Sequence, residues 1–202
     1  MRITGGRYRS RALRAVRGQA TRPTSDRVRE ALFGILASAR ALEGARVLDL
    51  YAGTGALALE ALSRGAESAV LVESARDAVA VIRANIEALG VARQASLVAG
   101  DVHRALGRLV SAGPFDLVLA DPPWALVESG EPARALAELA AAGAFRASAW
   151  VVLEHAARTP APAAGPLSPW ETRRYGDTAL TFYKTGILPG PRPEVAAGSP
   201  SD

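Results

Sequence analysis

The sequence contains no cysteine, and this absence excludes a disulfide framework, a thiolate metal site and a cysteine nucleophile. Histidine is almost as scarce. His103 and His155 are the only two, so we expect no metal site and assign both to surface or hydrogen-bonded structural positions. No apolar run is long enough to cross a bilayer, and the basic N-terminus lacks the apolar core of a signal peptide. These absences predict a cytoplasmic protein without a membrane partner.

Acidic residues are missing from the first 25 positions, which carry seven arginines and a charge of +7. Since the whole chain is +4, the remainder is mildly acidic at −3. A basic arm on an acidic body favours a polyanionic partner. Arginine suits RNA because its guanidinium group forms paired hydrogen bonds with phosphate and stacks on unpaired bases. Ile3, Tyr8 and Leu13 interrupt the basic run. Residues 1–25 are therefore predicted to form an ordered RNA-binding arm or hairpin, and the alternative is a solvated tail.

Apolar runs alternate with helical patterns along residues 26–185, and 49% hydrophobic content is ample for a core. Strands are predicted at 47–51, 69–73, 96–99, 115–120 and 149–154, and helices at 56–64, 75–89, 103–111 and 131–142. An earlier helix should run from the candidate N-caps Thr24-Ser25-Asp26 to about Arg40, and Ser74 with Asp77 resembles a capping box. This alternation predicts an α/β fold with a mostly parallel sheet and helices on both faces.

The last two predicted strands, 170–175 and 178–184, are joined by Gly176-Asp177 and should form an antiparallel hairpin. Proline, glycine, alanine and serine dominate residues 186–202, for which we predict a disordered tail. The sheet therefore has seven predicted strands and ends in the hairpin.

A glycine-rich turn, Ala52-Gly53-Thr54-Gly55-Ala56, follows the first strand of the sheet. Its two glycines allow the backbone to approach a ligand at the positive end of the next helix. The second strand ends in Glu73, 20 positions after Gly53, and a carboxylate at that spacing reaches ribose hydroxyls. Together these features predict a nucleoside site.

Two classes of nucleoside ligand fit the turn. Gly53, Gly55 and Ala58 satisfy the dinucleotide pattern, which would indicate an NAD-dependent dehydrogenase. Acids at or near the carboxyl ends of four predicted strands argue against it, because a ring of like charges repels pyrophosphate and suits a cationic ligand. These acids are Asp49, Glu73, Asp101 and Asp121. Each of them alone could be a helix cap or a loop residue, but together they favour S-adenosylmethionine, which carries a sulfonium and an ammonium.

Asp121-Pro122-Pro123-Trp124 follows the apolar run 115–120 and therefore lies at the ligand-binding edge of an open α/β sheet. Two prolines remove two backbone donors, so the carboxylate and the neighbouring carbonyls act as acceptors. Acceptors beside the flat ring of Trp124 suit a planar nitrogen heterocycle with an exocyclic amine. The alternative is an ordinary turn with a core tryptophan, since Asp-Pro and Pro-Pro are common loop sequences.

These motifs resemble the RsmD-type methyltransferases, which transfer a methyl group from S-adenosylmethionine to guanine N2 in bacterial small-subunit (16S) ribosomal RNA. The resemblance covers nearly all of Met1 to Lys184. The matching segments are Met1–Arg7 with the basic run after it, Thr21–Phe33, Val47–Leu57, Glu60–Ala66, Asp121–Trp124 and Arg174–Leu180. Thr21–Phe33 and Arg174–Leu180 are the specific parts, because many amino-methyltransferases share the others. Trp124 departs from the Phe or Tyr that the family more often has, but it keeps a stacking ring.

The resemblance implies a Rossmann-like class I methyltransferase domain over residues 26–185, acting on ribosomal RNA within a partly assembled small subunit. The implied catalytic residues are Asp121, Pro122, Pro123 and Trp124. The implied cofactor-binding residues are Asp49, Tyr51, Ala52, Gly53, Thr54, Gly55, Glu73, Asp101 and Asp121. The implied RNA contacts are Arg7, Arg9, Arg11, Arg14, Arg22 and Arg27. Asp49 would lie near the cofactor's ammonium, Glu73 would accept from its ribose, and Asp101 would meet its adenine amine.

Three alternatives to this function stay open from the sequence. The same Asp-Pro-Pro-aromatic turn would serve methyl transfer to adenine or cytosine in DNA, or to a protein glutamine. An NAD-dependent oxidoreductase would use the glycine turn but would leave Asp121–Trp124 without a role. A non-catalytic RNA-binding module would use neither, although every expected catalytic position is filled.

Overall fold

The computed structural model describes residues 1–16 and 23–185. Its helices are α1 Pro23–Ser38, α2 Ala56–Ser63, α3 Arg76–Leu89, α4 Val102–Ala112, α5 Trp124–Glu128 and α6 Glu131–Ala141. Its strands are β1 Arg46–Leu50, β2 Ser68–Glu73, β3 Ala95–Ala99, β4 Phe115–Ala120, β5 Phe145–Ala156, β6 Leu167–Tyr175 and β7 Thr178–Thr185. The predicted RNA contact at Arg22 and the predicted tail at 186–202 lie outside the described residues.

All seven strands belong to one sheet with the order β3-β2-β1-β4-β5-β7-β6. Strands β1 to β5 pair in parallel, whereas β7 runs antiparallel to both β5 and β6. This arrangement confirms the predicted Rossmann-like α/β fold with an antiparallel hairpin at its end.

The strand order reverses between β1 and β4, and open α/β sheets bind ligands at such a switch point. Both strands are apolar and almost fully buried, because helices cover the two faces of the sheet. The register pairs Leu50 with Val72 and Ala120, and Ala120 with Leu153. The residues that follow these positions therefore emerge side by side at the carboxyl edge of the sheet.

The N-terminal segment folds back on itself and packs against the body of the protein. Arg2 and Ala12 form an antiparallel bridge, and the Leu13 amide donates to the Met1 carbonyl at 3.1 Å. Ile3 is 1% exposed and Leu13 is 6% exposed, so this segment contributes to the hydrophobic core. We refer to residues 1–16 as the arm.

A buried carboxylate fastens the arm to α2. Glu60 is fully buried and accepts from the backbone amides of Thr4 and Gly5, at 2.8 and 2.9 Å. The same carboxylate pairs with the Arg64 guanidinium at 2.8 Å, which compensates its charge. Because removal of water from a carboxylate is costly without such partners, Glu60 strongly favours the docked position of the arm.

Two helix starts differ from those predicted. Helix α1 begins at Pro23, so the candidate caps Thr24-Ser25-Asp26 lie inside its first turn, consistent with the preference for proline at the first helical position. Helix α3 has Ala75 at its N-cap and no side-chain capping bond, so the predicted capping box is wrong. The Oε1 atom of Glu73 accepts from the Ala75 amide at 2.8 Å instead.

Candidate active site at the carboxyl edge of the sheet

The glycine turn adopts the backbone conformation that its glycines permit. Tyr51, Gly53 and Gly55 have positive φ angles of 61°, 57° and 78°. A Cβ atom at Gly55 would lie 3.0 Å from the Leu71 side chain, so the tight space favours glycine there in addition to the positive φ. The turn thereby connects β1 to α2 within five residues. Gly53 and Thr54 line a cavity at the carboxyl edge of the sheet.

Asp49 lies beneath this turn and is 1% exposed. Its Oδ2 atom accepts from the Ala58 amide at 3.0 Å, so a protein carboxylate already occupies the anion position at the N-terminus of α2. Burial, and then the charges of Asp121 and Glu73, raise the pKa of Asp49 to about 8. Its Oδ1 atom has no hydrogen-bond partner among the described residues. A cation seated above the turn would stabilise the charged form of this carboxylate.

Glu73 closes the opposite side of the turn from the end of β2. Its Oε2 atom accepts from the Gly53 amide at 2.7 Å, which fixes the carboxylate against the glycine backbone. Both carboxylate oxygens accept backbone amides and retain further lone pairs, as ionised carboxylates do. Glu73 lines two adjoining cavities, so a bound nucleoside can reach it from either one.

The larger cavity has a volume of about 530 Å³ and brings the predicted turn and the predicted catalytic segment together. Among its lining residues are Tyr51, Ala52, Gly53, Thr54, Glu73, Asp121, Pro122, Pro123 and Trp124. Asp49 and Gly55 are predicted cofactor residues that do not line it, because both are buried below the turn. The cavity thus joins the glycine turn to the Asp-Pro-Pro-Trp segment in one space.

The smaller cavity, of about 340 Å³, adjoins the larger one through Tyr51, Glu73, Ser74 and Leu126. Asp101 lines it and also caps α4 by accepting from the Arg104 amide at 3.2 Å. The Tyr51 hydroxyl donates to the Glu131 carboxylate at 3.0 Å across this cavity. Burial, reinforced by Glu131, raises the pKa of Tyr51, so its hydroxyl stays protonated.

Trp124 begins the short helix α5, which periodicity in the sequence did not reveal because it has only five residues. Pro123 occupies its N-cap, and Pro122 is buried. The Arg158 guanidinium lies 5.9 Å from the centre of the Trp124 ring. Trp124 is therefore a half-buried wall residue of the cavity and not a core tryptophan.

Several lining residues were not assigned to the site from the sequence. Glu154 lies near the end of β5 beside Asp121, and its place as the acid that ends the predicted apolar strand 149–154 could have indicated it. Met1 and Val16 of the arm, and Val28, Arg29 and Leu32 of α1, form another wall. The sequence did not assign these five residues to the cavity, because their position depends on how the arm and α1 pack across the fold.

Asn85 links the arm to the glycine turn and is 1% exposed. Its Oδ1 atom accepts from the Arg14 amide at 2.8 Å, and its Nδ2 atom donates to the Thr54 carbonyl at 3.0 Å. One side chain thus connects the predicted RNA-binding segment with the predicted cofactor-binding turn.

The predicted RNA contacts that the structure describes are all exposed. Arg7, Arg9, Arg11 and Arg14 extend from the docked arm, and Arg27 lies on α1. The Arg11 guanidinium also donates to the Ala88 carbonyl at 2.9 Å, which places this part of the arm against α3. The arm therefore presents arginines outward while its apolar residues and backbone are held by the body of the protein.

Neither histidine is placed for metal binding. His103 contacts the Glu131 carboxylate at 3.2 Å, and buried His155 contacts the Thr181 hydroxyl at 2.8 Å. Within residues 1–16 and 23–185, no group of three His, Cys, Asp or Glu side chains is arranged to hold a metal ion. No helix in the same residues is long and apolar enough to span a membrane.

Comparison with known proteins places this geometry among methyltransferases. Residues 1–184 match the family described as Conserved hypothetical protein 95. YlbH of Bacillus subtilis, provisionally named an rRNA methyltransferase, is 32% identical over 192 residues, which span 91% of this chain and 98% of that protein. Ribosomal RNA small subunit methyltransferase D of Escherichia coli K12 is 42% identical over 129 residues, which span 61% of this chain and 60% of that protein.

Solved structures share the fold. The hypothetical protein TTHA0928 of Thermus thermophilus superposes with a TM-score of 0.76 at 32% identity, covering 91% of this chain and 99% of that one. SMU.776, provisionally named a methyltransferase and solved in complex with SAH, superposes with a TM-score of 0.62 at 18% identity. That second match covers 81% of this chain and 50% of SMU.776, and at its low identity it shows the fold alone.

Proposed function

Because the chain belongs to the family described as Conserved hypothetical protein 95, the RsmD family, we propose that it is an rRNA methyltransferase that modifies the exocyclic N2 of a guanine. Its cofactor is S-adenosylmethionine, and its substrate is small-subunit ribosomal RNA within a partly assembled subunit. The relatives named as rRNA methyltransferases support this substrate class.

The observation that carries the proposal is the shared cavity of about 530 Å³, in which the glycine turn and Asp121–Trp124 face one space. A cofactor on the turn and a base on the Asp-Pro-Pro-Trp segment would then meet inside it. Without both sets of residues in one cavity, neither group could be brought into line for transfer.

The residues at the turn fit the cationic cofactor. The unpartnered Oδ1 atom of Asp49 and the neighbouring charge of Asp121 favour a positively charged group above the turn. Glu73 would accept from the ribose hydroxyls, and Asp101, in the adjoining cavity, would accept from the adenine amine. A dinucleotide fits poorly, because Asp49 already takes an amide at the N-terminus of α2, where a pyrophosphate would bind.

The cofactor supplies an electrophilic methyl group, and the chain's own residues prepare the nucleophile. Guanine N2 is a weak nucleophile because its lone pair is delocalised into the ring, so the nitrogen must become pyramidal. The Asp121 carboxylate and the Pro122 carbonyl would accept its two hydrogens and stabilise the positive charge that develops. Trp124 would stack on the extracted base. Transfer would form the bond from methyl to N2 as the bond from methyl to sulfur breaks, and the released proton would pass to Asp121 or to water.

The arm supplies the contact with RNA. Arg7, Arg9, Arg11 and Arg14 are exposed on it, and Arg27 is exposed on α1. Three other residues of that helix line the cavity, namely Val28, Arg29 and Leu32. Phosphate contacts by these arginines would hold the RNA next to the opening of the cavity. Arg22 is proposed as a further contact on the grounds of the sequence alone.

The proposal is tested by methyl transfer from labelled S-adenosylmethionine to small subunits, and to naked RNA, from cells that lack this gene. Mapping of the labelled base follows. Wild type should label N2 of a guanine and should prefer subunits over naked RNA. Asp121→Ala should lose at least about a hundredfold in rate, a loss typical of removing a group that stabilises transition-state charge.

The matched control is Glu67→Gln, which alters an exposed carboxylate at the opposite edge of the sheet and should keep full activity. Label on adenine, on cytosine or on a protein glutamine would contradict guanine N2 as the target. Full activity of Asp121→Ala would contradict the assigned role of the Asp-Pro-Pro-Trp segment. Absence of methyl transfer by wild type to any of these substrates would favour a non-catalytic RNA-binding role for the cavity.

A further inference from the structure

Glu154 is an acid in the cavity that the proposed chemistry leaves without a task. It follows Leu153 on β5, and Leu153 pairs with Ala120 on β4. Since Asp121 follows Ala120 and the two strands are parallel neighbours, Glu154 and Asp121 lie at the same level of the carboxyl edge. Both residues line the larger cavity together with Trp124. Glu154 is half-buried, between fully buried Leu153 and a His155 that is only 1% exposed. Its carboxylate is therefore held on a rigid strand beside the position proposed for the base.

Acceptors for an exocyclic amine cannot by themselves select a base. Adenine, cytosine and guanine each carry such an amine, and Asp121 with the Pro122 carbonyl would accept from any of them. The three bases differ at the ring nitrogen next to the amine. That nitrogen is a donor, N1–H, in guanine, whereas the corresponding nitrogens of adenine and cytosine are acceptors with a lone pair.

We propose that Glu154 is the residue that specifies guanine, by accepting the N1–H while Asp121 and the Pro122 carbonyl accept from the N2 amine. This inference rests on the proposed function. A carboxylate facing the ring nitrogen of adenine or cytosine would set two acceptors against each other, which leaves both unpaired in a partly dehydrated site. Glu154 thus favours one base and repels the other two.

A base analogue isolates this contact. 2-Aminopurine retains the N2 amine of guanine, but its N1 is an acceptor without hydrogen. Once the modified position is known, RNA carrying guanine or 2-aminopurine there can be assembled into small subunits and methylated with S-adenosylmethionine. The measured quantity is the ratio of kcat/KM for guanine to that for 2-aminopurine, in wild type and in Glu154→Gln.

Wild type should prefer guanine, and Glu154→Gln should lower this ratio by about tenfold or more, the worth of a hydrogen bond to a charged group. The glutamine amide can rotate to donate to the N1 of 2-aminopurine, so the absolute rate on the analogue should rise. Glu154→Asp keeps the charge and should retain the preference for guanine at a lower rate. Glu67→Gln should change neither rate, because it lies at the opposite edge of the sheet.

An unchanged ratio in Glu154→Gln would overturn the inference, whether the rates on both bases stay at the wild-type level or fall together. Equal cofactor affinity in wild type and both Glu154 variants would verify that the site is intact. Failure of the proposed function is seen separately, because wild type itself would then leave guanine N2 unlabelled. A wild type that methylates both bases equally would retain the proposed function and reject the role of Glu154.

Discussion

A carboxylate that is buried under a ligand-binding turn carries a cost, and Asp49 is such a residue. Burial raises its pKa to about 8, and the carboxylates of Asp121 and Glu73 add to the effect. Only one of its oxygens has a hydrogen-bond partner within the described part of the chain. Under the proposed function, the positive charge of the bound cofactor would offset a cost that otherwise lowers the stability of the protein.

The stability of the protein should reveal this cost through its dependence on pH. The folded pKa of Asp49 lies above its unfolded value, so the folded state binds more protons than the unfolded state between about pH 4 and pH 8. Its contribution to the free energy of unfolding should therefore fall as the pH rises through this window. Asp49→Asn should remove that decline and be more stable than wild type at pH 8. Urea unfolding at pH 5, 6.5 and 8 measures the difference.

The comparison between the two proteins is needed because His155 acts in the opposite direction. Burial lowers the pKa of His155, so its contribution to stability rises as the pH increases through the ordinary histidine range. Since His155 is the same in both proteins, its effect cancels in the difference. Parallel pH profiles for wild type and Asp49→Asn would show that Asp49 titrates as an ordinary carboxylate.

Among the structural elements, the arm depends on close contacts with α2. Gly6 has a φ of 77°, and a Cβ atom there would lie 1.9 Å from the Ser63 carbonyl oxygen. The next residue donates its amide to that same carbonyl at 2.7 Å, so the arm cannot move away without losing a buried hydrogen bond.

Gly6→Ala should therefore lower the free energy of unfolding by about 2 kcal/mol or more, because it forces strain and displaces the arm. Gly34→Ala is the control, since a Cβ at Gly34 in α1 meets no atom within 4 Å. That substitution should be neutral or stabilise the helix by about 0.5–1 kcal/mol. Urea denaturation measures the free energy of unfolding of both variants. Equal changes in the two variants would contradict tight packing of the arm at Gly6.

The bridge at Asn85 joins two elements, and its Nδ2 atom donates to the Thr54 carbonyl at 3.0 Å and to the Arg14 carbonyl at 3.2 Å. Asn85→Asp keeps an acceptor for the Arg14 amide but loses both donated bonds, whereas Asn85→Ala loses all three bonds. Each lost buried hydrogen bond should cost about 1–3 kcal/mol. Asn85→Asp should weaken cofactor binding and should expose the arm to trypsin less than Asn85→Ala does.

Asn85→Ala should both weaken cofactor binding and expose the arm to trypsin. Calorimetry with S-adenosylhomocysteine and the rate of limited proteolysis supply the two measurements. If both variants left cofactor affinity at the wild-type level, the contact with Thr54 would have no part in shaping the turn.

The elements that the sequence predicted well are those whose pattern is set by their own residues. Strands β1, β2 and β4 are short, apolar and followed by turns, so burial dictates them locally. Helix α5 and the wall formed by Met1 and Val16 escaped prediction, because five residues show no period and the wall depends on contacts across the fold. Glu154 was visible as a strand-end acid, but its proximity to Asp121 follows only from the order of the strands.

At the scale of the whole molecule, positive and negative charges lie in different regions of the protein. The arm presents exposed arginines, whereas the cavity gathers Asp121, Glu154 and Glu73. A polyanion is therefore attracted to the surface around the cavity and a cation to its interior. Under the proposed function, this division would let RNA and a positively charged cofactor bind next to each other without competing.

Binding of RNA should accordingly be strongly salt-dependent. Each arginine that contacts a phosphate releases about one counterion, so Arg9→Ala should reduce the slope of log Kd against log salt by about 1. Arg93→Ala removes an equally exposed arginine at the opposite edge of the sheet and should leave the slope unchanged. Fluorescence anisotropy with labelled ribosomal RNA at several salt concentrations measures both. Equal slopes for Arg9→Ala and wild type would remove Arg9 from the RNA interface.

The attachment of the arm has a consequence for the order in which the chain is made. The anchors of the arm, Glu60 and Asn85, are synthesised 55 to 71 residues after the arm residues that they bind. During synthesis the five arginines of the arm are therefore present before these contacts can form, and the arm can dock completely only once α3 has been made. A shortened chain that ends before residue 85 could not retain the arm in its docked position. The arm is thus made before the elements that hold it and becomes structured only after them.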